Sequence, residues 1–449
     1  MSTASENNVH GLRRVAQLMV GTRVAPAPSL RDILIAVSIV LGGGVAAYLH
    51  LPASTRNLLW AEDGSIFVTD ALAGAPFHNL LTPYAGYMQG FPQFVTSVVV
   101  AIAPLRVVPA VLVVISVLTA STIAGATFVL LRDRVSPIVA RLAIALAIAV
   151  SPVAGIEASG SIASTHFFLL VGLFVVLVTR ESSRLVIVLE CLLVVFAVTS
   201  DPLSLLFLPF AVAQILAGSS RSRLWVPCVY LVALIVQLVY VVTSRSPSEA
   251  QPFTPLALVR SVGFRVFLAG LVGPYAAAHI YAHLGIVALV VSTLIVVIVC
   301  VIPVLRRSPE AALVIVCFLT SLGFYIASAV VRWFPGLDPD VNLAWGGSRY
   351  SIVSICILVI AVAAAVISLA SASPGPRGLA LPLILVAVVF FGTASSWELN
   401  VRAESNTWSA QLAHARSQCQ SRPSAASVTI PISPANFSVV LKCSVVALS

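Results

Sequence analysis

Apolar runs of 18 or more residues recur along this chain, and the run at 284–305, LGIVALVVSTLIVVIVCVIPVL, carries no charge at all. About 20 such residues are what a helix needs to cross a ~30 Å hydrocarbon core. Strands that cross a membrane would instead read as alternating segments of about 10 residues, and that pattern is absent. Composition agrees: 9% of residues are charged and 59% hydrophobic, against roughly a quarter charged in soluble domains. The chain is expected to be an all-α polytopic membrane protein.

Spans are predicted at 33–51, 108–131, 136–151, 165–179, 185–199, 202–217, 225–243, 284–305, 311–331, 348–370 and 379–396, about eleven in all. Two further segments leave room for up to about thirteen. One is 91–105, FPQFVTSVVVAIAPL, too short for an ordinary span and read as interfacial, re-entrant or a steep crossing. The other is 253–275, where Arg260 and Arg265 interrupt the apolar run, read as an amphipathic helix on the outer surface. Short arginine clusters sit between runs at Arg132/Arg134, Arg180/Arg184, Arg221/Arg223, Arg306/Arg307 and Arg377. All fall on one side with the basic N-terminus, as retained cytoplasmic loops do. The net charge of +9 is therefore a topology signal and not a nucleic-acid footprint. Residues 1–28 are expected to be a disordered cytoplasmic tail. Residues 29–396 form the membrane domain, with a first outer loop at 52–91, and 397–449 form an extracytoplasmic tail. The 33–51 run exceeds a signal-peptide core and other spans follow, so it reads as an uncleaved first span. Lys442 is the single lysine among 25 Lys and Arg, which reads as the codon bias of a GC-rich bacterial genome; the expected location is a bacterial cytoplasmic membrane.

Cys191, Cys228, Cys300, Cys317 and Cys356 fall inside apolar runs and read as small buried hydrophobes. Cys419 and Cys443 are the two in the polar tail, where an oxidising compartment favours their pairing. The stretch between them, VTIPISPANFSVVLKC, reads as a small β-rich cap.

Polar residues at the outer face are few. LLWAEDGSIF sets Glu62 and Asp63 side by side in a chain with 16 acidic residues. The apolar residues at 66, 67, 71 and 72 suit a short helix lying on the membrane. Asp63 is then either the cap of that helix or a functional carboxylate, and Glu62 either a solvated loop charge or part of a site. Two adjacent carboxylates raise the pKa of at least one, which suits a general base. TPYAGYMQGFPQF supplies Tyr84, Tyr87 and Gln89, and Glu157 and His166 flank ASGSIAST. Asp201 precedes Pro202 and most simply caps the helix that starts there. Arg332 opens the stretch that holds Asp338, Asp340 and Arg349. Behind Gly346-Gly347-Ser348, Arg349 is either an interfacial anchor or a bidentate holder of phosphate. On the topology above, all these residues share the outer side. Glu190 lies within a span and is either functional or snorkels towards Arg184. His279 and His283 have a zinc-compatible spacing, but no acidic partner or HExxH pattern accompanies them, so no metal site is expected there.

No Walker, Rossmann or serine-elbow pattern occurs, and no basic-side loop is long enough for a nucleotide-sugar domain. Chemistry is expected on lipid-borne substrates at the outer face. WAEDGSIFVTDALAG, LLTPYAGYMQGFPQ and the late GGSRYSI resemble bacterial multi-spanning glycosyltransferases of the GT-C type. The resemblance implies an enzyme that takes a sugar from a polyprenyl-phosphate carrier and passes it to an envelope glycan or glycolipid. It implies Asp63 as base with Glu62 beside it, Arg349 on the carrier phosphate, and Tyr84–Gln89 shaping the sugar or acceptor site. The reaction would be a one-step inverting displacement. It needs no cofactor once Arg349 offsets the phosphate charge, with a divalent cation on the acidic pair as an option. A substantial soluble outer domain, found in larger members, is missing. Two other readings stand beside it: a lipid-linked-sugar flippase or transporter, and a non-catalytic envelope assembly protein of the same fold. Transporters place polar residues at midplane within inverted repeats, and neither feature is visible.

Overall fold

Inside a bilayer every backbone N–H and C=O needs a partner within the protein, and this chain meets that need with helices. The computed structural model describes residues 2–21, 25, 27–75, 77–180, 183–218, 223–244, 251–341, 347–371, 384, 387–388, 390–396, 407–422 and 426–448. Among them, seven helices are long and apolar enough to cross a membrane: Leu30–His50, Leu105–Asp133, Trp225–Thr243, Pro255–Val272, Ile286–Leu305, Ala311–Val331 and Ser348–Ser371. The protein is a mostly helical, multi-pass membrane protein.

Four expected spans take a different form. The one at 185–199 is the 17-residue helix Arg184–Ser200, shorter than any of the seven. Those at 136–151, 165–179 and 202–217 appear as the shorter apolar helices Ile138–Ala149, Thr165–Val178 and Pro202–Leu216. Every residue of Thr165–Val178 is buried. At 14 residues it rises only about 21 Å, so it ends short of the long helices around it. The expected span at 379–396 falls largely outside the described residues.

Two expectations are corrected. The 253–275 segment is not a surface amphipathic helix but one of the seven long apolar helices. Its arginines are neutralised internally: Arg260 pairs with Asp338 at 2.6 Å and Asp340 at 2.7 Å. Arg265 is fully buried and donates to the carbonyls of Gly336 and Leu337. The N-terminal tail is likewise not disordered throughout. Ser2–Val20 is helical, and its Ala16 and Val20 pack on Ala213 and Ala217. The short polar sequence hid that seam, which uses small residues for close approach. The free cysteines also divide: Cys300, Cys317 and Cys356 are buried, Cys191 is half-buried and Cys228 is exposed.

The two ends of the buried Thr165–Val178 helix differ in chemistry. At its C-terminal end, Arg134 reaches the carbonyl of Val178, and Arg223 that of Thr179. Arg180 donates to Gly218 O at 3.1 Å. Such guanidinium–carbonyl bonds satisfy the last carbonyls of a helix. Glu190 does not snorkel to Arg184; it is buried and faces Arg223 at 3.8 Å. The opposite end carries His166 and the recess described below.

A second apolar core lies at that recess end, separate from the main one, and joins the segment after the Leu30–His50 helix to the C-terminal tail. Strands Ser427–Ile432 and Phe437–Lys442 pair antiparallel, with Ile430 opposite Val439. Their alternation turns Val428, Ile430, Ile432, Val439 and Leu441 inward, as a period of two requires. The Trp408–Ser421 helix packs on this hairpin, its indole donating to Leu105 O at 3.0 Å. A disulfide joins Cys419 in that helix to Cys443 after the second strand.

Candidate functional site

The recess lies at the N-terminal end of the Thr165–Val178 helix and is floored by that helix's first turn. A cavity of about 380 Å³ opens there, lined by Glu62, Tyr84, Tyr87, Gln89, His166, Asp201, Arg332 and Arg349. These residues come from six separated stretches of sequence. Val241 and Val331, at the ends of two long apolar helices, complete the rim. They are 39% and 52% exposed, so the cavity has an apolar edge on the side where those helices present apolar residues outward.

The acidic pair is split. Ala61 is left-handed, at φ 44°, a conformation non-glycine residues adopt at a cost. Its amide donates to Ser433 O at 2.7 Å, so the C-terminal hairpin holds it there. The turn sends neighbouring side chains to different places. Glu62 enters the cavity wall, whereas Asp63 is buried and accepts from Ala163 N at 2.8 Å and Ser161 Oγ at 3.1 Å. Asp63 is therefore neither the cap of its own helix nor a cavity carboxylate. It clamps the 158–165 loop to the segment that follows the Leu30–His50 helix. The helix that follows is also not spread on the membrane: Phe67 and Val68 are buried in the core shared with the tail. Gly64 permits this, since a Cβ there would stand 2.6 Å from Ile432 Cδ1. Because the two carboxylates diverge, they offer no paired oxygens to a cation. Among the described residues no group of three His, Cys, Asp or Glu is placed to hold a metal, and His279 and His283 simply meet ring to ring.

Tyr84 and Tyr87 are brought together by a tight hairpin. Their backbones exchange both hydrogen bonds, at 2.9 and 3.2 Å, around Ala85 and Gly86 at φ 52° and 84°. Positive φ at both central residues is the mark of a type I′ turn, which the right-handed twist of paired strands favours. The loop is anchored by Gln237, a buried amide midway along an apolar helix. It accepts from Met88 N at 3.2 Å and donates to Met88 O at 3.3 Å. Sequence reasoning missed Gln237; a polar amide within a predicted span was the available signal. Burial pushes the Tyr84 phenol up to about 12, and Tyr87 is pushed up further by burial and then by the charge of Asp201. Both phenols keep their protons at neutral pH and can donate to ligand oxygens. Gln89 also lines the cavity, and its buried Oε1 has no hydrogen-bond partner among the described residues.

The two arginines are not equivalent. Arg349 lies 3.6 Å from Glu157 and 4.0 Å from Glu62, so its charge is already met by carboxylates. Glu157 also accepts from Gly347 N at 3.0 Å; it braces the turn before Arg349 and does not line the cavity. Gly347 has φ 77°, and a Cβ there would meet the Phe334 ring at 2.8 Å. Arg332 lies 5.9 Å from the Tyr87 ring centroid and has no ion-pair partner among the described residues. Of the two cavity arginines it is the one with no carboxylate within ion-pair distance among the described residues. Asp201 accepts from Leu203 N at 2.8 Å, capping its helix, and its second oxygen faces His166 Nε2 at 3.4 Å.

No family model, no curated protein and no solved structure matches this chain.

Proposed function

We propose that the protein is a GT-C-type glycosyltransferase that moves a sugar from a polyprenyl-phosphate carrier to an envelope glycan or glycolipid. On this reading it works at the extracytoplasmic face of a bacterial cytoplasmic membrane, with the N-terminus cytoplasmic. One observation carries the reading. A carboxylate, a guanidinium with no ion-pair partner among the described residues and two protonated phenols line a single cavity, one edge of which, at Val241 and Val331, is apolar and faces outward from long apolar helices.

Each part has a task in such a transfer. The lipid chain lies along the Val241–Val331 edge while its phosphate meets Arg332, with Arg349 as a second positive charge. An oxygen-rich ring is held by hydrogen bonds from Tyr84 and Tyr87 and to Gln89. Glu62, not Asp63, takes the proton of the acceptor hydroxyl as that oxygen attacks the anomeric carbon. The C–O bond to phosphate breaks in the same step, and configuration inverts. Positioning and charge stabilisation supply most of the acceleration in reactions of this kind. A cavity of about 380 Å³ lies within the usual range for small-molecule sites and fits a sugar phosphate better than a polymer.

The test is sugar transfer in lipid nanodiscs containing the purified protein and a radiolabelled polyprenyl-phosphate sugar. Transfer to an envelope glycolipid extract that Glu62→Gln abolishes supports the reading. Movement of the labelled lipid across vesicles with no new glycosidic bond would replace it with a flippase.

A further inference from the structure

The contact between His166 and Asp201 has a proton requirement that neither residue shows alone. His166 Nδ1 lies 2.6 Å from the carbonyl oxygen of Ala163. A carbonyl only accepts, so Nδ1 carries the hydrogen. A neutral imidazole then presents a lone pair at Nε2, and 3.4 Å away stands Asp201 Oδ2. The other Asp201 oxygen is occupied by the amide of Leu203. Two lone pairs facing each other in a buried site repel, so a proton must sit between them.

We infer that Asp201 and His166 share one proton at neutral pH, and that Asp201 is the acid that protonates the phosphate as it leaves the sugar. The role as acid rests on the transfer reaction proposed above; the shared proton does not. Burial independently pushes the Asp201 carboxyl up to about 7, which leaves the acid form well populated. Groups facing the pair across the cavity are Arg332, Arg349, Tyr87 and Glu62. Arg332 acts electrostatically on both Asp201 and Tyr87, so an anion drawn to it arrives beside Asp201.

The step balances. The acceptor oxygen forms its bond to the anomeric carbon and gives its proton to Glu62. The bond from that carbon to the phosphate oxygen breaks, its electron pair stays on that oxygen, and the oxygen takes the proton from Asp201. Asp201 leaves the step as a carboxylate facing Nε2, and solvent restores the proton once product departs.

The variant that tests this is Asp201→Asn. Its amide oxygen still accepts from Leu203 and its amide nitrogen donates to Nε2, so both contacts survive while the transferable proton is lost. In the wild-type protein, infrared spectra at pH 7 are expected to show a protonated-carboxyl stretch that Asp201→Asn removes. Transfer should fall about 10²–10⁴-fold, the usual worth of a general acid. The loss should shrink for a donor whose phosphate bears an electron-withdrawing alkyl group, because that leaving oxygen is less basic. The absence of such an infrared signal, or a signal unchanged by Asp201→Asn, would overturn the shared proton. Equal losses for both donors would overturn the acid role. If wild-type protein with an intact signal transfers from neither donor, the transferase reading and the acid role fall together while the shared proton stands.

Discussion

Asp63 Oδ1 accepts the amide hydrogen of Ala163 at 2.8 Å, across about a hundred residues of chain, and this single contact separates two carboxylates adjacent in sequence. The oxygen ties the segment after the Leu30–His50 helix to the loop that opens the buried Thr165–Val178 helix. Glu62 is left alone in the cavity wall. The division assigns opposite consequences to two neighbouring substitutions.

Glu62→Gln should reduce sugar transfer by at least about 100-fold with normal expression, since it removes a general base. Asp63→Asn keeps an oxygen able to accept from Ala163 N and Ser161 Oγ, and should leave transfer within about tenfold of wild type. Asp63→Ala leaves a buried amide unpaired and should cost about 1–3 kcal/mol of stability. Transfer rates and detergent melting curves of the three variants check this. Asp63→Asn as inactive as Glu62→Gln would return the base to Asp63.

Arg332 and Arg349 should fail in different ways. Arg332→Gln removes a cation with no ion-pair partner among the described residues, so melting should be unchanged while KM for the lipid-phosphate donor rises about tenfold or more. Arg349→Gln leaves Glu62 and Glu157 without their counter-charge and should lower the melting temperature as well as activity. Titrating donor into both variants, with melting measured alongside, separates the two. A matching loss of stability in Arg332→Gln would contradict the contrast.

Asp201 predicts how stability changes with pH. Its folded pKa is raised to about 7 by burial, so the folded state binds the proton more tightly than the unfolded chain. The stabilisation is complete below the unfolded carboxylate range and is lost as pH rises towards about 7. Asp201→Asn removes this titration. Its melting temperature should vary less between pH 5 and pH 8 than that of wild type, and should exceed the wild-type value at pH 8. A wild-type curve that is flat over that range, or equally steep in the variant, would show that the carboxyl is ionised throughout.

The C-terminal cap should matter to Glu62 through Ser433. Its carbonyl holds Ala61 in the left-handed turn that aims Glu62. Cys443→Ser opens the Cys419–Cys443 disulfide, which closes a loop of a length worth roughly 2–4 kcal/mol. The expected result is faster proteolysis of the tail and a lower kcat, with KM for the lipid-phosphate donor nearly unchanged. Limited proteolysis and donor titration read the two effects. A tail cleaved faster while kcat stays at the wild-type level would show that the cap does not position Glu62.

Much of this was legible in the chain. A run such as 284–305 permits only a helix once water is absent, because its backbone polar groups have no other partners. The tail hairpin was visible as strand-like apolar runs punctuated by Pro431 and Pro434, of which Pro431 lies within the first strand. Most of the cavity lining, including Glu62, Tyr84, Tyr87, Asp201 and Arg332, was visible as polar residues scarce in an apolar chain. Scarcity works as a signal because burying a polar group without a partner is costly.

What one-dimensional reasoning missed has a common cause. The 253–275 segment looked amphipathic because Arg260 and Arg265 need charge or carbonyl partners, and these come from 336–340, some seventy residues later. The N-terminal helix looked disordered because its apolar seam is completed only by Ala213 and Ala217.

By itself the sequence determined that the chain is helical, membrane-embedded and polar at one end, because local apolarity and scarce charge act residue by residue. Only the tertiary structure decided which of Glu62 and Asp63 faces the cavity, which arginine lacks a carboxylate partner among the described residues, and that His166 meets Asp201. Those outcomes depend on hydrogen bonds and ion pairs between distant segments, and no local pattern encodes which partner a buried polar atom will find.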